Sequence, residues 1–199
     1  MVAVVAYGHT VRMEIGRVVD LAHPKSFERL PELSTRILSP RDADGSTLTL
    51  EEIPLERFVG RGVIVDALGF HHGDTITYSA IDDQIANVVP GDIVLFHTGW
   101  DEYYGTPAYD ENPIIEPAVI AALIVRGVLA VGIDAPRADP LGDGPGPVAH
   151  MLAAASGILC VNLRNLGQVD FPEPLISLVP GMPVNPTSSH VHASALAVN

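Results

Sequence analysis

The stretch Pro90-Gly91-Asp92-Ile93-Val94-Leu95-Phe96-His97-Thr98-Gly99-Trp100 decides how the chain is to be read. A turn feeds a short apolar, partly β-branched run that stops at polar residues, a glycine and an indole, which marks a buried strand over Ile93–His97. Residues 116–126 follow, opening with acid and proline and closing with arginine before Gly127, the start and stop of a helix. Val128-Leu129-Ala130-Val131-Gly132-Ile133 is a second strand, residues 148–156 form a short helix ended by Gly157, and Ile158-Leu159-Cys160-Val161 is a third strand. Residues 91–162 therefore read strand–helix–strand–helix–strand. Parallel strands joined by right-handed crossovers bring their carboxyl ends to one edge, and ligands bind beyond that edge. Arriving there are His97-Thr98-Gly99-Trp100, Asp134-Ala135-Pro136-Arg137 and Asn162. His150, in the first turn of the second crossover helix, can point to the same place, and the Gly/Pro-rich segment 135–147 can cover it.

Working outward, Val63-Ile64-Val65-Asp66-Ala67 is a further strand. Ser79 with Asp82 forms a helix-opening pair, with Ile81, Ile85 and Val88 on one face of the helix that follows. Residues 1–22 alternate loosely through Val11, Met13, Ile15 and Val18, as one or two strands would. Residues 24–50 hold three prolines, several charges and Asp42-Ala43-Asp44-Gly45-Ser46 with little periodicity, and read as a surface excursion. The whole chain, 1–199, is expected to form a single α/β domain.

Composition limits the partners. With 47% hydrophobic and 18% charged residues, the chain has the makings of a packed core and not of a disordered segment. Its 11 basic and 24 acidic residues give a net charge of −13, a field that repels phosphate backbones and anionic lipid, so neither nucleic acid nor a membrane surface is an expected partner. The single cysteine, Cys160, can form no internal disulfide, and a reducing cytoplasm is the expected location. Met1-Val2-Ala3-Val4-Val5-Ala6 has no basic residue ahead of it and reads as a strand, not a signal peptide.

Six stretches in series resemble one family. They are Leu50-Glu51-Glu52-Ile53-Pro54-Leu55-Glu56-Arg57-Phe58-Val59-Gly60, Pro90–Leu95, His97–Pro107, Gly127–Pro136, Asn162-Leu163-Arg164-Asn165-Leu166 and Pro174–Pro180. Together they are similar to the cyclase family of hydrolases, that of bacterial kynurenine formamidase and isatin hydrolase. The resemblance implies a swivelling β/β/α fold, a mixed sheet with crossover helices, assembled as homodimers or homotetramers around a small-molecule site. It also implies a His-x-Gly-Thr-His-x-Asp motif holding zinc or manganese, which activates water for attack on an amide or lactam carbonyl.

The departures bear on function. The nearest match to that motif, Glu14-Ile15-Gly16-Arg17-Val18-Val19-Asp20, lacks both histidines and keeps only Asp20. A rival alignment sets Val19-Asp20-Leu21-Ala22-His23-Pro24 on the family's opening strand and leaves the metal motif missing altogether. The glutamate implied before Asn162-Leu163 is Val161, which can neither ligate a metal nor move a proton. The arginine implied before Thr-Gly-Trp is His97, while His150 matches a family histidine. No cofactor is therefore expected, with zinc or manganese bound only if the site is rebuilt.

The chemistry expected is ring closure, dehydration or hydrolysis of a small aromatic or polyketide-like carbonyl compound by general acid–base catalysis. His97 and His150 are the candidate acid and base, Asp134 and Glu14 the orienting carboxylates, and Trp100, Tyr103, Arg137 and Asp20 the substrate contacts. A bland reading stands beside most of them: packing for His97, Trp100 and Tyr103, a helix surface for His150, a loop cap for Asp134 and a solvated side chain for Glu14, while Arg137 is the residue that could bind a carboxylate. The pairs His71-His72 and His190/His192 read as a solvated turn and as an exposed terminal-strand feature, and Cys160 as a structural thiol. Two alternatives remain open: a metal-dependent arylformamidase-like amidohydrolase, and a non-catalytic ligand-binding or oligomer-completing homologue.

Overall fold

In a computed structural model, residues 2–6, 9–23, 34–38, 49–142, 146–185 and 188–198 are described. The elements in chain order are β1 (Val2–Ala6), β2 (His9–Met13), β3 (Ile15–Asp20), β4 (Arg36–Leu38), β5 (Val59–Asp66), β6 (Thr75–Ile76), α1 (Tyr78–Ile81), β7 (Ile93–His97), β8 (Ile114–Ile115), α2 (Pro117–Val125), β9 (Ala130–Ile133), α3 (Pro147–Ala154), β10 (Ile158–Val161), β11 (Leu175–Ser177), β12 (Pro180–Asn185), β13 (Ser188–Val191) and β14 (Ser194–Val198).

The expected mixed α/β sheet with crossover helices is present. Ten strands run in the order β12-β13-β4-β10-β9-β7-β5-β11-β14-β3. The centre, β10-β9-β7-β5, is parallel, as the alternation over 91–162 predicts. Both flanks are antiparallel. β5 serves two neighbours at once: Val59–Arg61 pair with β11 and Gly62–Asp66 with β7. The chain just after β3 also meets the segment just after β10, where Arg164 donates its amide to Leu21 and Ala22 bridges Leu163. β1 and β2 form a separate hairpin, and β6 and β8 a short parallel pair.

Successive side chains on a strand point to opposite faces. Val94 and Phe96 of β7 therefore join a core with Val131, Ile133, Leu152 and the buried side of α2, while Ile93 and Leu95 join a second core with Cys160, Ile176 and Val191. Covered on both faces, β7 reads as an uninterrupted apolar run. The layers are tight: a Cβ on Gly132 would sit 2.5 Å from Leu95 Cδ2 and 2.7 Å from Leu163 Cδ1. No helix among the described residues is long and apolar enough to cross a membrane.

Three expectations are corrected. The stretch 24–50 is not wholly a surface excursion. Residues 24–33 and 39–48 lie outside the described residues, but Arg36–Leu38 form a strand between β10 and β13, with Ile37 fully buried. The helix foreseen after Ser79 shrinks to Tyr78–Ile81 and begins two residues early, after Thr77, where the Glu116 carboxylate accepts the Tyr78 amide. Ile81, Ile85 and Val88 are all buried nonetheless. Residues 2–20 hold three strands, not one or two, and the side chains of Val11 and Met13 lie outside the described residues.

Candidate functional site

The loop after β7 is held by the loop after β9. Asp134 is fully buried, and its carboxylate accepts the amides of Thr98 and Gly99 at 2.8–3.0 Å and the Thr98 hydroxyl at 2.5 Å. Gly99 takes a positive φ of 74°, which the tight turn into Trp100 requires. Burial pushes the Asp134 pKa up to about 6, opposed by the hydrogen bonds from Thr98 and Gly99. These partners occupy both oxygens, so Asp134 ties the loop down.

Trp100 is the product of that turn. It is 3% exposed, donates Nε1–H to the Tyr109 carbonyl at 3.1 Å and packs against Tyr103 and His72. Its indole is committed to packing, whereas Tyr103 is 39% exposed. His72 is no bare turn residue: besides that contact, it stands 3.0 Å from Glu111.

A second polar group forms where the segment after β3 meets the loop after β10. Ala22 bridges Leu163, the Asn165 side chain donates to the Asp20 carbonyl, and Arg164 pairs with the Asp20 carboxylate at 2.9 Å. The His23 amide bonds the Thr35 hydroxyl, which in turn donates to the Asn162 carbonyl. Asn162, fully buried with φ of 57°, accepts the Tyr109 hydroxyl and donates to the Ser34 carbonyl. The His23 ring stacks on Tyr104 at 3.9 Å. Burial, and then the nearby Arg164 charge, lower its pKa from 6.5 to about 4, so the imidazole is neutral at pH 7. Burial likewise pushes the Tyr109 hydroxyl and the Cys160 thiol well up, leaving both protonated.

Beside this network lies a cavity of about 190 Å³ between β4, β10, the start of α3 and the loop 136–142. Its floor is Leu38, Leu159 and Val161. The charged lining residues among those described are Arg137 and Asp139. Asp139 is committed to capping α3, its oxygens accepting the amides of Val148 and Ala149 at 2.8 and 2.9 Å. Arg137 pairs with the Asp110 carboxylate and donates to the Asp110 carbonyl at 2.6 Å.

The structure does not gather the expected residues into one constellation. His150, half-buried on α3, donates its amide to Gly146 and follows Ala149, both of which line the cavity, but His150 itself is not among the lining residues. His97 packs over Gly167, where a Cβ would meet its ring at 3.0 Å. Among the described residues neither imidazole bonds Asp134, whose oxygens serve Thr98 and Gly99. Glu14 is exposed at the far end of β3, and six extended residues put it ~20 Å from Asp20, so the two do not share a site. Asp20 is a structural partner of Arg164 and of the Ala22 amide. His190 and His192 do not share a strand: His190 lies on β13 within 2.6 Å of the Ser34 hydroxyl, and His192 follows it, 85% exposed. The residues that sequence reasoning passed over, Leu38, Thr35 and Tyr109, carry no motif. Tertiary pairing alone brings them here.

A model of the cyclase family, described as “Putative cyclase”, matches residues 8–140. The chain belongs to the cyclase family. Solved structures share the family's fold with it: isatin hydrolase A from Labrenzia aggregata bound to benzyl benzoate (22% identity, TM-score 0.73, covering 92% of this chain and 94% of that one). Isatin hydrolase A from Ralstonia solanacearum is similar (20%, 0.74, 91% and 92%), as is a protein described as a potential metal-dependent hydrolase with cyclase activity (23%, 0.69, 93% and 98%). No curated protein sequence matches significantly.

The donor chemistry at the cavity does not fit the metal ion that the family resemblance implies. Leu38, Leu159 and Val161 offer no donor atom, both Asp139 oxygens are held by amides, and Arg137 is a cation. Among the described residues no three His, Cys, Asp or Glu side chains converge on a common point for an ion.

Proposed function

We propose that the protein is a cyclase-family enzyme that acts on a small carbonyl-containing compound, aromatic or polyketide-like, by general acid–base ring closure, dehydration or hydrolysis. The observation that carries this reading is the cavity on β10, with an apolar floor and with Ala149, the α3 residue next to His150, in its wall, set against a hydrogen-bonded frame that fixes the surrounding loops. Apolar walls select a flat or aliphatic body, and an imidazole beside the cavity wall is a side chain suited to proton transfer. No step is routed through a metal ion. In this reading His150 transfers the proton and His97 supports the loop bearing Gly167. A homodimer or homotetramer is the proposed assembly.

A second reading is favoured by one position. Val161 stands where the family resemblance implies glutamate, which suits a homologue that binds its ligand without turning it over. Turnover decides between them. Purified protein is assayed against N-formyl arylamines, lactams and linear polyketones, with and without chelator. The enzyme reading expects chelator-resistant turnover, lowered ~10²–10⁴-fold in His150→Ala and abolished when His97→Ala is added. Undiminished activity in the double variant overturns the assignment. Zinc or manganese bound near one ion per chain, with activation by that metal, moves the protein to the metal-dependent amidohydrolase reading.

A further inference from the structure

Arg137 is engaged on one side only. Its Nη1 donates to the Asp110 carbonyl and, at 3.4 Å, to Asn112 Oδ1, while one Nη2 hydrogen faces the Asp110 carboxylate. The Nε–H and the second Nη2 hydrogen, which together form the side edge of the guanidinium, make no hydrogen bond to any described residue. That edge presents two parallel donors at the spacing of a carboxylate's two oxygens. Arg137 lines the cavity, and the other charged lining residue, Asp139, is occupied by the α3 amides. Asp110 grips the guanidinium from outside, so the group is already oriented before any ligand arrives.

The remaining wall is apolar, and its size sets the ligand's. An apolar cavity of about 150 Å³ admits benzene, so about 190 Å³ takes one ring and a short substituent. We propose that the cavity binds a one-ring carboxylate, the anionic group on the Nε–Nη2 edge of Arg137 and the ring against Leu38, Leu159 and Val161. This deepens the proposed function by giving its substrate a carboxylate, and it rests on that reading only for the placement of the substrate in this cavity.

The test is binding, read without turnover. Benzoate and its neutral counterpart benzamide are titrated into the full chain while the Arg137 Nε–H resonance is followed by NMR. Benzoate is expected to shift that resonance and to bind at least tenfold more tightly than benzamide. Arg137→Gln is expected to erase the preference, and Arg137→Lys, a single point donor, to recover part of it. Val161→Phe, which leaves Arg137 and Asp110 in place and fills the floor, is expected to abolish benzoate binding, so a poorly folded Arg137→Gln does not leave the question open. Equal affinity for the two probes, an unchanged benzoate affinity in Arg137→Gln or in Val161→Phe, or no benzoate binding overturns the proposal. A carboxylate preference in a chain without turnover upholds this site and overturns the enzyme reading. Turnover of neutral substrates with no such preference does the reverse.

Discussion

Asp134 and Arg137 stand three residues apart on one loop, and they use their charges in opposite ways. Asp134 is buried with both oxygens filled by backbone amides and a hydroxyl, so its corner is closed. Arg137 meets Asp110 through its two terminal nitrogens, has no hydrogen bond from Nε to any described residue, and lines a cavity. Position at the carboxyl edge of a parallel sheet is thus no measure of chemical availability. What separates the two is how many of a group's hydrogen-bonding positions the fold has already taken.

The sharpest way to break this contrast is Asp134→Ala. It leaves two amides and a hydroxyl unpartnered in the interior and is expected to cost about 3 kcal/mol or more, read from urea unfolding at neutral pH. A cost under about 1 kcal/mol would mean the corner holds without its carboxylate.

Proton linkage sharpens it next. The folded-state pKa of Asp134, about 6, lies above its unfolded value of 3.8, so the folded chain holds more protons in between and this group's contribution falls as pH rises through that window. His23 works the other way: its folded value of about 4 lies below 6.5, so its contribution is present above that pH and is lost as pH falls toward 4. Each shift corresponds to on the order of 3 kcal/mol, and the two slopes oppose. Asp134→Asn is expected to leave a stability that rises with pH between about 4 and 6, and His23→Gln one that falls, both read as urea midpoints. Parallel slopes in the two variants would refute the assignment.

The smallest effect belongs to the open side. Asp110 is largely exposed in its pair with Arg137, and Asp110→Asn is expected to change stability by less than about 1 kcal/mol. A larger loss would show the pair to be part of the frame.

The parallel centre of the fold was legible because β7, β9 and β10 are continuous apolar runs and α2 and α3 carry proline at their starts. β4 was not. Arg36-Ile37-Leu38 has too few residues for a period, and its strand exists through pairing with β10 and β13, more than a hundred residues away. α1 was misplaced because its start is fixed by Glu116, from another loop. At the site, Asp134, Trp100 and Arg137 were legible as residues of the right edge. Whether each was free was not, since that depends on Thr98, Tyr109 and Asp110 as spatial neighbours. Glu14 misled because a motif's spacing was matched on a strand whose far end lies elsewhere.

The pairing of β3 with β14 has a consequence for synthesis. Asp20 finds its partner in Ser194, 174 residues later. A nascent chain emerging from the ribosome therefore carries β3 as an unpaired strand until nearly all of the described chain has been made, and contacts of such long sequence separation close slowly. During that interval Val19, buried in the finished fold, is open to other strands, so aggregation in the cell should follow the rate of translation more than the stability of the finished protein.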